Sequence, residues 1–450
     1  MRPVATDLVD RRVEIGGAVD RQSVIDALTS GANVFMADFE DGNSPTWDNG
    51  LRGQINLRDA LAGTIGYEDK QGNYHALGQR TARLAIRPRG WHLVEPGFGV
   101  DQRPIAATIF DAGLFFFHNL QALVRKGHSP HVYIPKVESY FEARLWNDLL
   151  SAIERLLKVD VGTIRTTVLM ETVLAAFQMD EILYELRERA AGLHFGRWDY
   201  LFSLVRKFRS RPEFVLPDRN ECTMRHRALR AVLELMISTA HRRGVHAIGG
   251  KAARVPSFEN RDTKHELFEQ LMRDLRREAS SGLDGTQVAH PRLVPLAKGI
   301  FETAVRGANQ ITSPDATSTV KAEDLLTVPR GPKTRAALRT NVNIVIRYLA
   351  AWLDGTGCVA VDGVVENMAT AELARAQVWQ WIAHSVMLDS GETVDADLVN
   401  AIIDEQLDLI EHAVSSHGTQ DRPLPQAVHW ARHLMTSGGF EDHLTNVVRP

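Results

Sequence analysis

The chain has 450 residues, of which 44% are hydrophobic and 24% charged, and these values are typical of a soluble protein with one large core and a smaller domain. The formal charge of −4 gives no reason to expect a nucleic acid or a membrane as partner, and no run reaches the roughly 20 apolar residues of a membrane span. Cys222 and Cys358 lie far apart, so neither a disulfide framework nor a thiolate metal site is expected. The amino terminus lacks the apolar core of a signal peptide, which predicts a cytoplasmic protein, and none of these features indicates an oligomeric state.

Short apolar segments alternate with helical patterns along the first 300 residues. Strands are predicted at residues 33–38, 82–86, 131–134, 166–170, 192–195, 245–248 and 286–289, and residues 13–15 are a candidate for an eighth. Helices are predicted at residues 107–126, 140–157, 173–187, 224–243 and 262–280, whereas the segment from 43 to about 80 shows little periodicity. The repeated strand-then-helix order predicts a parallel sheet, and eight such units favour an α/β fold closed into a TIM (β/α)8 barrel. A doubly wound open sheet is the alternative, although no G-x-G-x-x-G follows a first strand to support a dinucleotide site.

The last third of the chain has a different pattern. Residues 311–333 are polar and contain prolines, as is typical of a linker. Helical patterns follow at residues 335–353, 368–387, 394–414 and 424–436. We therefore predict a barrel over residues 1–310, a linker over 311–333 and a C-terminal α-helical domain over 334–450.

Acidic side chains follow several of the predicted strands. The turn Asp38-Phe39-Glu40-Asp41 comes directly after one strand, and Glu171 and Asp199 come after two others. Because the carboxyl ends of barrel strands meet at one face, these acids are expected to pool there with Arg87, Lys136, Lys251 and His290. Carboxylates without thiolates favour Mg²⁺ or Mn²⁺ over Zn²⁺. Acids at strand ends can also be salt-bridged rim residues, so the pattern leaves both interpretations open.

A chemical role can be assigned to each charged group if the cation is bound. Glu171 and Asp199 would be direct ligands, and Glu40 and Asp38 would hold metal-bound waters. A 2-oxo acid that chelated the cation would be polarised at its carbonyl group. Arg87 would then stabilise the oxyanion that develops when this carbonyl is attacked.

Eight long strings of residues carry a family resemblance. They are VFMADFEDGNSPTW (34–47), IRPRGWHL (86–93), YIPKVES (133–139), VLMETVLAAFQMDEILYELR (168–187), FGRWDYLFS (195–203), LPDR (216–219), DGTQVAHP (284–291) and GCVAVDGVVENMATAE (357–372). In this order they resemble the A-type branch of the malate synthase family across nearly the whole chain. The resemblance implies a TIM barrel with a C-terminal helical plug that closes the active site. It also implies Mg²⁺-dependent condensation of acetyl-CoA with glyoxylate to malyl-CoA, followed by hydrolysis of the thioester.

The resemblance assigns roles to individual positions. Glu171 and Asp199 match the family's metal ligands, and Glu40, with Asp38 beside it, matches the acids that bind metal waters. Arg87 matches the catalytic arginine. The backbone amides of Trp198 and Asp199 match the donors to the glyoxylate carboxylate, and Cys358 falls in the segment near the acyl-CoA.

Three positions depart from the family pattern within the site. Asn367, in the string Glu366-Asn367-Met368-Ala369-Thr370, stands where the family has the aspartate that acts as catalytic base. A carboxamide cannot accept a proton at neutral pH, so the unchanged reaction should be slower by about 10²–10⁴-fold. Gln287 replaces a tryptophan that packs on glyoxylate, and Lys251 replaces a methionine that lines the pocket.

The departures leave several reactions open. A larger pocket with an added ammonium points to a 2-oxo acid larger than glyoxylate, with a second anionic group. Decarboxylation of a malonyl-type donor would avoid the need for a base, and another base such as Glu366 could support retro-aldol cleavage. We expect a malate-synthase-like enzyme that joins an acyl-CoA, by default acetyl-CoA, to a 2-oxo acid, by default glyoxylate. The alternatives are a Mg²⁺-dependent aldolase or lyase that acts on a hydroxy acid without CoA, and a catalytically impaired or non-catalytic homologue.

Overall fold

A computed structural model describes residues 1–252, 261–312, 318–417 and 423–450, with side chains described except at 251–252, 261–267 and 414–417. The described chain forms two compact units. Unit 1 comprises Met1–Arg197, Leu233–Thr319 and Gly363–Val365, and unit 2 comprises Trp198–Val232, Val320–Asp362 and Glu366–Pro450.

Strands and helices alternate through the first 304 residues. The chain begins with β1 (Val13–Gly17), α1 (Arg21–Thr29), β2 (Val34–Asp38), α2 (Trp47–Ala62), β3 (Gly66–Glu68), β4 (Tyr74–Ala76), β5 (Arg83–Arg87), β6 (Val94–Val100), β7 (Arg103–Ala106), α3 (Ala107–Arg125), β8 (His131–Ile134) and α4 (Tyr140–Leu156). It continues with β9 (Arg165–Met170), α5 (Val173–Ala176), α6 (Met179–Glu185), β10 (Ala190–Phe195), α7 (Arg197–Lys207), α8 (Arg227–Arg242), β11 (His246–Ala252), α9 (Arg261–Ser280), β12 (Gly285–Val288) and α10 (Val294–Ala304). The predicted α/β pattern is therefore confirmed.

Eight of these strands close a parallel barrel in the order β1-β12-β11-β10-β9-β8-β5-β2. The candidate eighth strand is real, because β1 pairs in parallel with both β12 and β2 and so completes the ring. Every residue of β2, β9 and β10 is buried, as expected for strands of a parallel sheet that is covered on both faces. The predicted TIM barrel is confirmed, and the open-sheet alternative is wrong.

Two hairpins, β3–β4 and β6–β7, interrupt the alternation and were not predicted. The weakly periodic segment up to residue 80 also contains α2, a helix capped by the Thr46 hydroxyl and ended by Gly63 in a left-handed conformation. The single helix predicted over 173–187 is instead two short helices, α5 and α6. Gln178, between them, has a φ of −129°, which is not helical, and its side-chain oxygen accepts a hydrogen bond from the backbone N–H of Tyr140.

One helix, α3, is long and apolar enough to cross a membrane by length and composition alone. In this protein it is a barrel helix that contacts α2 and α4, and its Phe115, Phe116 and Leu120 side chains are fully buried. The core helix of a soluble protein passes the same test, so α3 gives no reason to expect a membrane partner.

Unit 2 is mainly helical beyond residue 320. Its elements there are α11 (Ala322–Leu325), α12 (Arg335–Leu353), β13 (Val359–Val361), α13 (Met368–Ala383), α14 (Ala396–His417) and α15 (Leu424–Thr436), whereas most of β14 (Val364–Glu366) belongs to unit 1. Helix α12 packs against α13, α14 and α15 around a core that includes Leu349, Trp352, Trp381, Ile402 and Leu434. The predicted C-terminal helical domain is confirmed as part of the fold. The exact domain boundaries stay a prediction.

Candidate active site

The turn after β2 buries three carboxylates. Asp38 is the last residue of β2 and lies in register with Arg87 at the end of β5. The Oδ1 atom of Asp38 accepts a hydrogen bond from the backbone N–H of Glu40 at 3.0 Å, which bends the chain directly after the strand. Glu40 and Asp41 then lie buried rather than in a solvated turn, with exposed fractions of 6% and 1%.

Arg87 lies among these acids and is itself buried. Its Nη2 atom is 2.7 Å from an Asp41 oxygen, and 2.8 Å from oxygens of both Glu40 and Glu171. Its Nη1 atom is 3.3 Å from an oxygen of Asp38. Burial would lower the pKa of this guanidinium, but the carboxylates around it hold the pKa well above its usual value. Its Nε atom makes no hydrogen bond with the described residues.

Lys136 follows β8 and contacts the same acids. Its backbone N–H donates to Glu171 Oε2 at 2.9 Å, and its Nζ atom donates to both Asp41 oxygens at 3.0 and 3.2 Å. Its φ of 53° places it in the left-handed region, which residues other than glycine, asparagine and aspartate rarely occupy. We refer below to the acidic cluster, which comprises Asp38, Glu40, Asp41 and Glu171 with the cations Arg87 and Lys136.

Negative charge exceeds positive charge in the acidic cluster. Four buried carboxylates surround two cations in the part of the chain that the structure describes, and the His92 ring lies 3.9 Å from Glu40. Burial raises the pKa of Glu40 to about 7, because Arg87 and Lys136 only partly offset it and the neighbouring acids add to it. Burial also raises the pKa of Glu171, whereas for Asp41 the two cations outweigh burial and lower the pKa. The cluster thus has more negative charge than its own cations neutralise.

Three carboxylates have the spacing that a divalent cation requires. One oxygen from each of Asp41, Glu171 and Asp199 lies within 4.8 Å of the others, and all three residues are buried. Asp199 is in the first turn of α7, directly after β10. Gly196 lets the Glu171 side chain lie close to the end of β10, since a Cβ atom at Gly196 would be only 2.5 Å from Glu171 Cγ. An all-oxygen set with excess negative charge fits a hard cation such as Mg²⁺.

Asp41 was missing from the predicted ligand set. The structure groups it with Glu171 and Asp199, whereas Asp38 bends the turn and Glu40 accepts a hydrogen bond from the backbone N–H of Gly90 at 3.1 Å. The three acids of the turn were visible in the sequence, but nothing in the pattern indicated which of their carboxylates lies near Glu171 and Asp199.

A second group of predicted residues lies in unit 2. Both oxygens of Glu366 accept hydrogen bonds from Arg219 Nη2, at 3.1 and 3.2 Å, and this ion pair is buried. The guanidinium carbon of Arg219 lies 4.9 Å from the centre of the Trp198 ring, within the range of a cation–π contact. Arg219 therefore connects Trp198 with the segment that carries Asn367. Sequence reasoning included Arg219 in the LPDR string but gave it no role.

Asn367 caps helix α13. Its side-chain oxygen accepts a hydrogen bond from the backbone N–H of Thr370 at 3.4 Å, and its own N–H donates to the Thr370 hydroxyl at 2.9 Å. Asparagine and aspartate are equally good at this position, so the cap does not explain why asparagine is present.

The remaining predicted substrate residues have different surroundings. Gln287 is 3% exposed and packs over Gly16, with its amide nitrogen 3.7 Å from the sulfur of Met36. Cys358 is partly buried between α12 and β13. The backbone of Lys251 lies in β11 opposite Gln287, but its side chain lies outside the described residues. The substrate contacts of all three residues stay predictions.

Comparisons with known proteins agree with this architecture. The family model for the malate synthase TIM barrel domain matches residues 83–328, and that for the malate synthase C-terminal domain matches residues 332–448. Malate synthase from Myxococcus xanthus is 47% identical over 443 residues, which cover 98% of this chain and 82% of that protein. Glyoxysomal malate synthase from Cucumis sativus is 43% identical over 98% of this chain and 80% of its own.

A solved structure shows the same fold. The Haloferax volcanii malate synthase ternary complex with pyruvate and acetyl-CoA has a TM-score of 0.50 and covers 94% of this chain and 97% of its own. It is 14% identical in sequence, so it supports the fold alone.

Proposed function

This chain belongs to the malate synthase family, and from that premise we propose how its residues serve the Mg²⁺-dependent condensation of an acyl-CoA with a 2-oxo acid. The protein is a Claisen-type acyltransferase, and acetyl-CoA and glyoxylate are its default substrates. The observation that carries the proposal is the acidic cluster, in which Arg87 lies among buried carboxylates whose oxygens can bind a metal ion.

The carboxylates of Asp41, Glu171 and Asp199 would hold the cation. When bound, Mg²⁺ polarises the carbonyl of a chelated 2-oxo acid and makes its carbon more electrophilic. Arg87 stays positively charged at any physiological pH, because the surrounding carboxylates hold its pKa high despite burial. The free N–H at its Nε atom is the donor we assign to the oxyanion that forms when the carbonyl carbon is attacked.

Proton removal from the acyl group is the step that this site serves least well. The α-carbon of the thioester must lose a proton before it can attack, and the family's base position holds Asn367. A carboxamide at this position can orient the thioester by hydrogen bonding but cannot take up the proton. We therefore propose slow turnover with acetyl-CoA, or use of a malonyl-type donor whose loss of CO₂ leaves the same carbanion without a base.

Glu366 is poorly placed to replace the missing base. Both of its oxygens are held by Arg219, and protonation would break this buried ion pair and leave the guanidinium without its counter-ion. This arrangement favours a positioning role for Glu366. It weighs against the retro-aldol alternative that would use Glu366 as base.

The test is a comparison of the wild type with Asn367→Asp. Release of free CoA and the mass of the product would be followed with acetyl-CoA or malonyl-CoA against glyoxylate, pyruvate and oxaloacetate. Aspartate should preserve the cap of α13, because it caps helices as well as asparagine and its charge suits a helix N-terminus. We expect Asn367→Asp to make malate from acetyl-CoA and glyoxylate about 10²–10⁴-fold faster than the wild type. Asn446→Asp, the same chemical change on an exposed residue, serves as control.

Other outcomes distinguish the alternatives. Fast release of CoA from malonyl-CoA by the wild type would identify a decarboxylating condensation if it required the 2-oxo acid and gave a condensed product whose mass showed the loss of CO₂. Cleavage of hydroxy acids with no consumption of acyl-CoA by either protein would favour a lyase. Binding of substrates without turnover in every assay would identify a non-catalytic homologue, and the condensation proposal would then be wrong. The cytoplasmic location predicted from the amino terminus stays a prediction.

A further inference from the structure

Lys136 is the one residue of the acidic cluster with a left-handed backbone conformation. A left-handed conformation costs a residue with a Cβ atom roughly 1–2 kcal/mol in regular structure. It persists only where the surrounding structure stabilises it. For lysine the side chain offers no local hydrogen bond that would relieve this strain. The surroundings of Lys136 must therefore supply the stabilisation.

Both the backbone N–H and the side-chain ammonium of Lys136 contact carboxylates. The backbone N–H of Lys136 donates to one oxygen of Glu171, and its ammonium donates to both oxygens of Asp41. The ammonium also lies 3.5 Å from Glu40 and 3.7 Å from Glu171. The left-handed turn thus directs the N–H and the ammonium of a single residue at two carboxylates that lie together with Asp199.

We propose that Lys136 is a positioning residue of the cation site, which orients Glu171 through its N–H and sets the affinity for the divalent cation by competing for Asp41 and Glu171 with its ammonium. An ammonium about 3 Å from a buried carboxylate opposes a second cation on the same oxygens. The competition keeps the bound cation exchangeable and limits repulsion among the acids. This inference rests on the proposed function only in taking the acidic cluster as the Mg²⁺ site.

The test measures cation binding without substrates. Titration calorimetry with Mn²⁺ and with Mg²⁺ would compare the wild type, Lys136→Met and Lys136→Arg as full-length proteins. Methionine removes the charge but keeps the length and the strained backbone, whereas arginine keeps the charge. We expect Lys136→Met to bind the cation at least about tenfold more tightly and Lys136→Arg to stay within about threefold of the wild type.

Thermal unfolding gives a second readout that is independent of activity. In the presence of a chelator, Lys136→Met should unfold at a lower temperature than the wild type, because the acids then repel one another. A saturating concentration of Mg²⁺ should restore most of the loss. Lys136→Gly should unfold at a higher temperature than Lys136→Met, because glycine relieves the left-handed strain.

Lys158 provides the matched control. Its φ is 55°, but it is exposed in the loop after α4. Lys158→Met should leave the affinity for Mn²⁺ unchanged, and Lys158→Gly should show only the gain in thermal stability that comes from relieving the left-handed strain.

The proposal would be overturned if Lys136→Met bound the cation as weakly as the wild type or more weakly. If the wild type, Lys136→Met and Lys136→Arg all bound no divalent cation, the metal site itself would be wrong, whereas slow turnover with normal cation binding would leave the inference intact.

Discussion

Two buried clusters in unit 1 use similar side chains but differ in charge balance. In the first, which we call the balanced cluster, Arg11 Nε donates to Glu14 at 2.8 Å and Arg11 Nη2 donates to the Tyr133 hydroxyl at 2.7 Å. The hydroxyl of Tyr133 in turn donates to the other oxygen of Glu14, so one cation, one anion and one hydroxyl form a closed set. In the acidic cluster, four carboxylates surround Arg87 and Lys136.

The difference separates a structural ion pair from a site that needs a ligand. The charges of the balanced cluster neutralise each other, so a further ion would have no favourable partner there. The acidic cluster keeps excess negative charge even though Arg87 touches all four acids, and this excess contributes to a pKa of about 7 for Glu40. A buried cluster that its own residues do not neutralise is the arrangement expected where a divalent cation completes the site.

The largest effect is expected from breaking the balanced cluster. Glu14→Gln should lower the free energy of unfolding by about 3–5 kcal/mol, because it leaves the buried guanidinium of Arg11 without its counter-ion. Urea denaturation would measure this loss, and the affinity for Mn²⁺ of the protein that remains folded should not change. Arg144→Met, which removes a half-exposed surface pair with Glu185, should cost less than about 1 kcal/mol. Equal losses for the two variants would contradict the structural role of the balanced cluster.

Removal of the central cation of the acidic cluster should slow catalysis. Arg87→Met should lower turnover by about 10²–10³-fold, the usual effect of losing one oxyanion donor. Measurement in the Asn367→Asp background would keep the rates high enough to quantify. A loss below about tenfold, with cation binding preserved, would show that Arg87 does not stabilise the reacting oxyanion.

A smaller effect is expected at Glu278, an acid whose carboxylate accepts a hydrogen bond from Thr286 at 2.6 Å. Burial raises the pKa of Glu278 to about 7 from an ordinary value of 4.5, so its protonated form is favoured in the folded protein. Protonated Glu278 contributes its full stabilisation of the folded state below about pH 4.5, and this contribution is lost as the pH rises through 7 and the side chain ionises. Glu278→Gln should therefore gain about 2 kcal/mol relative to the wild type at pH 8.5 and nothing at pH 4.5. A gain that does not depend on pH, in denaturation curves at the two pH values, would contradict this titration.

Most of the barrel could be predicted from sequence because its strands are short, continuous apolar segments. Helix α2 could not, since its buried face consists largely of small and polar residues such as Gly53, Gln54 and Asn56. A Cβ atom at Gly53 would lie only 2.6 Å from Val19 Cγ2. The backbone of α2 therefore lies close to its neighbours, and a large apolar side chain at this position of the helix would not fit. Hydrophobic periodicity does not detect a helix of this kind.

The site was predictable in its composition but not in its geometry. Glu171 and Asp199 follow strands, and the rule that strand ends meet at one face of a barrel was enough to group them. The sequence shows that Asp38 can bend the turn by accepting a hydrogen bond from the backbone N–H of Glu40, but it does not show which of Asp38, Glu40 and Asp41 then lies near Glu171 and Asp199. The left-handed conformation of Lys136 was equally hidden, since lysine is not a residue that signals it.

The most direct test of the account is calorimetric titration of the wild type and Glu171→Gln with Mn²⁺ in the absence of substrates. We predict one Mn²⁺ bound per wild-type chain and an affinity at least about tenfold lower for Glu171→Gln, because the substitution removes one of three grouped carboxylates. Glu14→Gln, which makes the same change in the balanced cluster, should bind like the wild type. No binding to the wild type, or equal binding to the wild type and Glu171→Gln, would contradict the claim that excess charge marks the acidic cluster as the cation site.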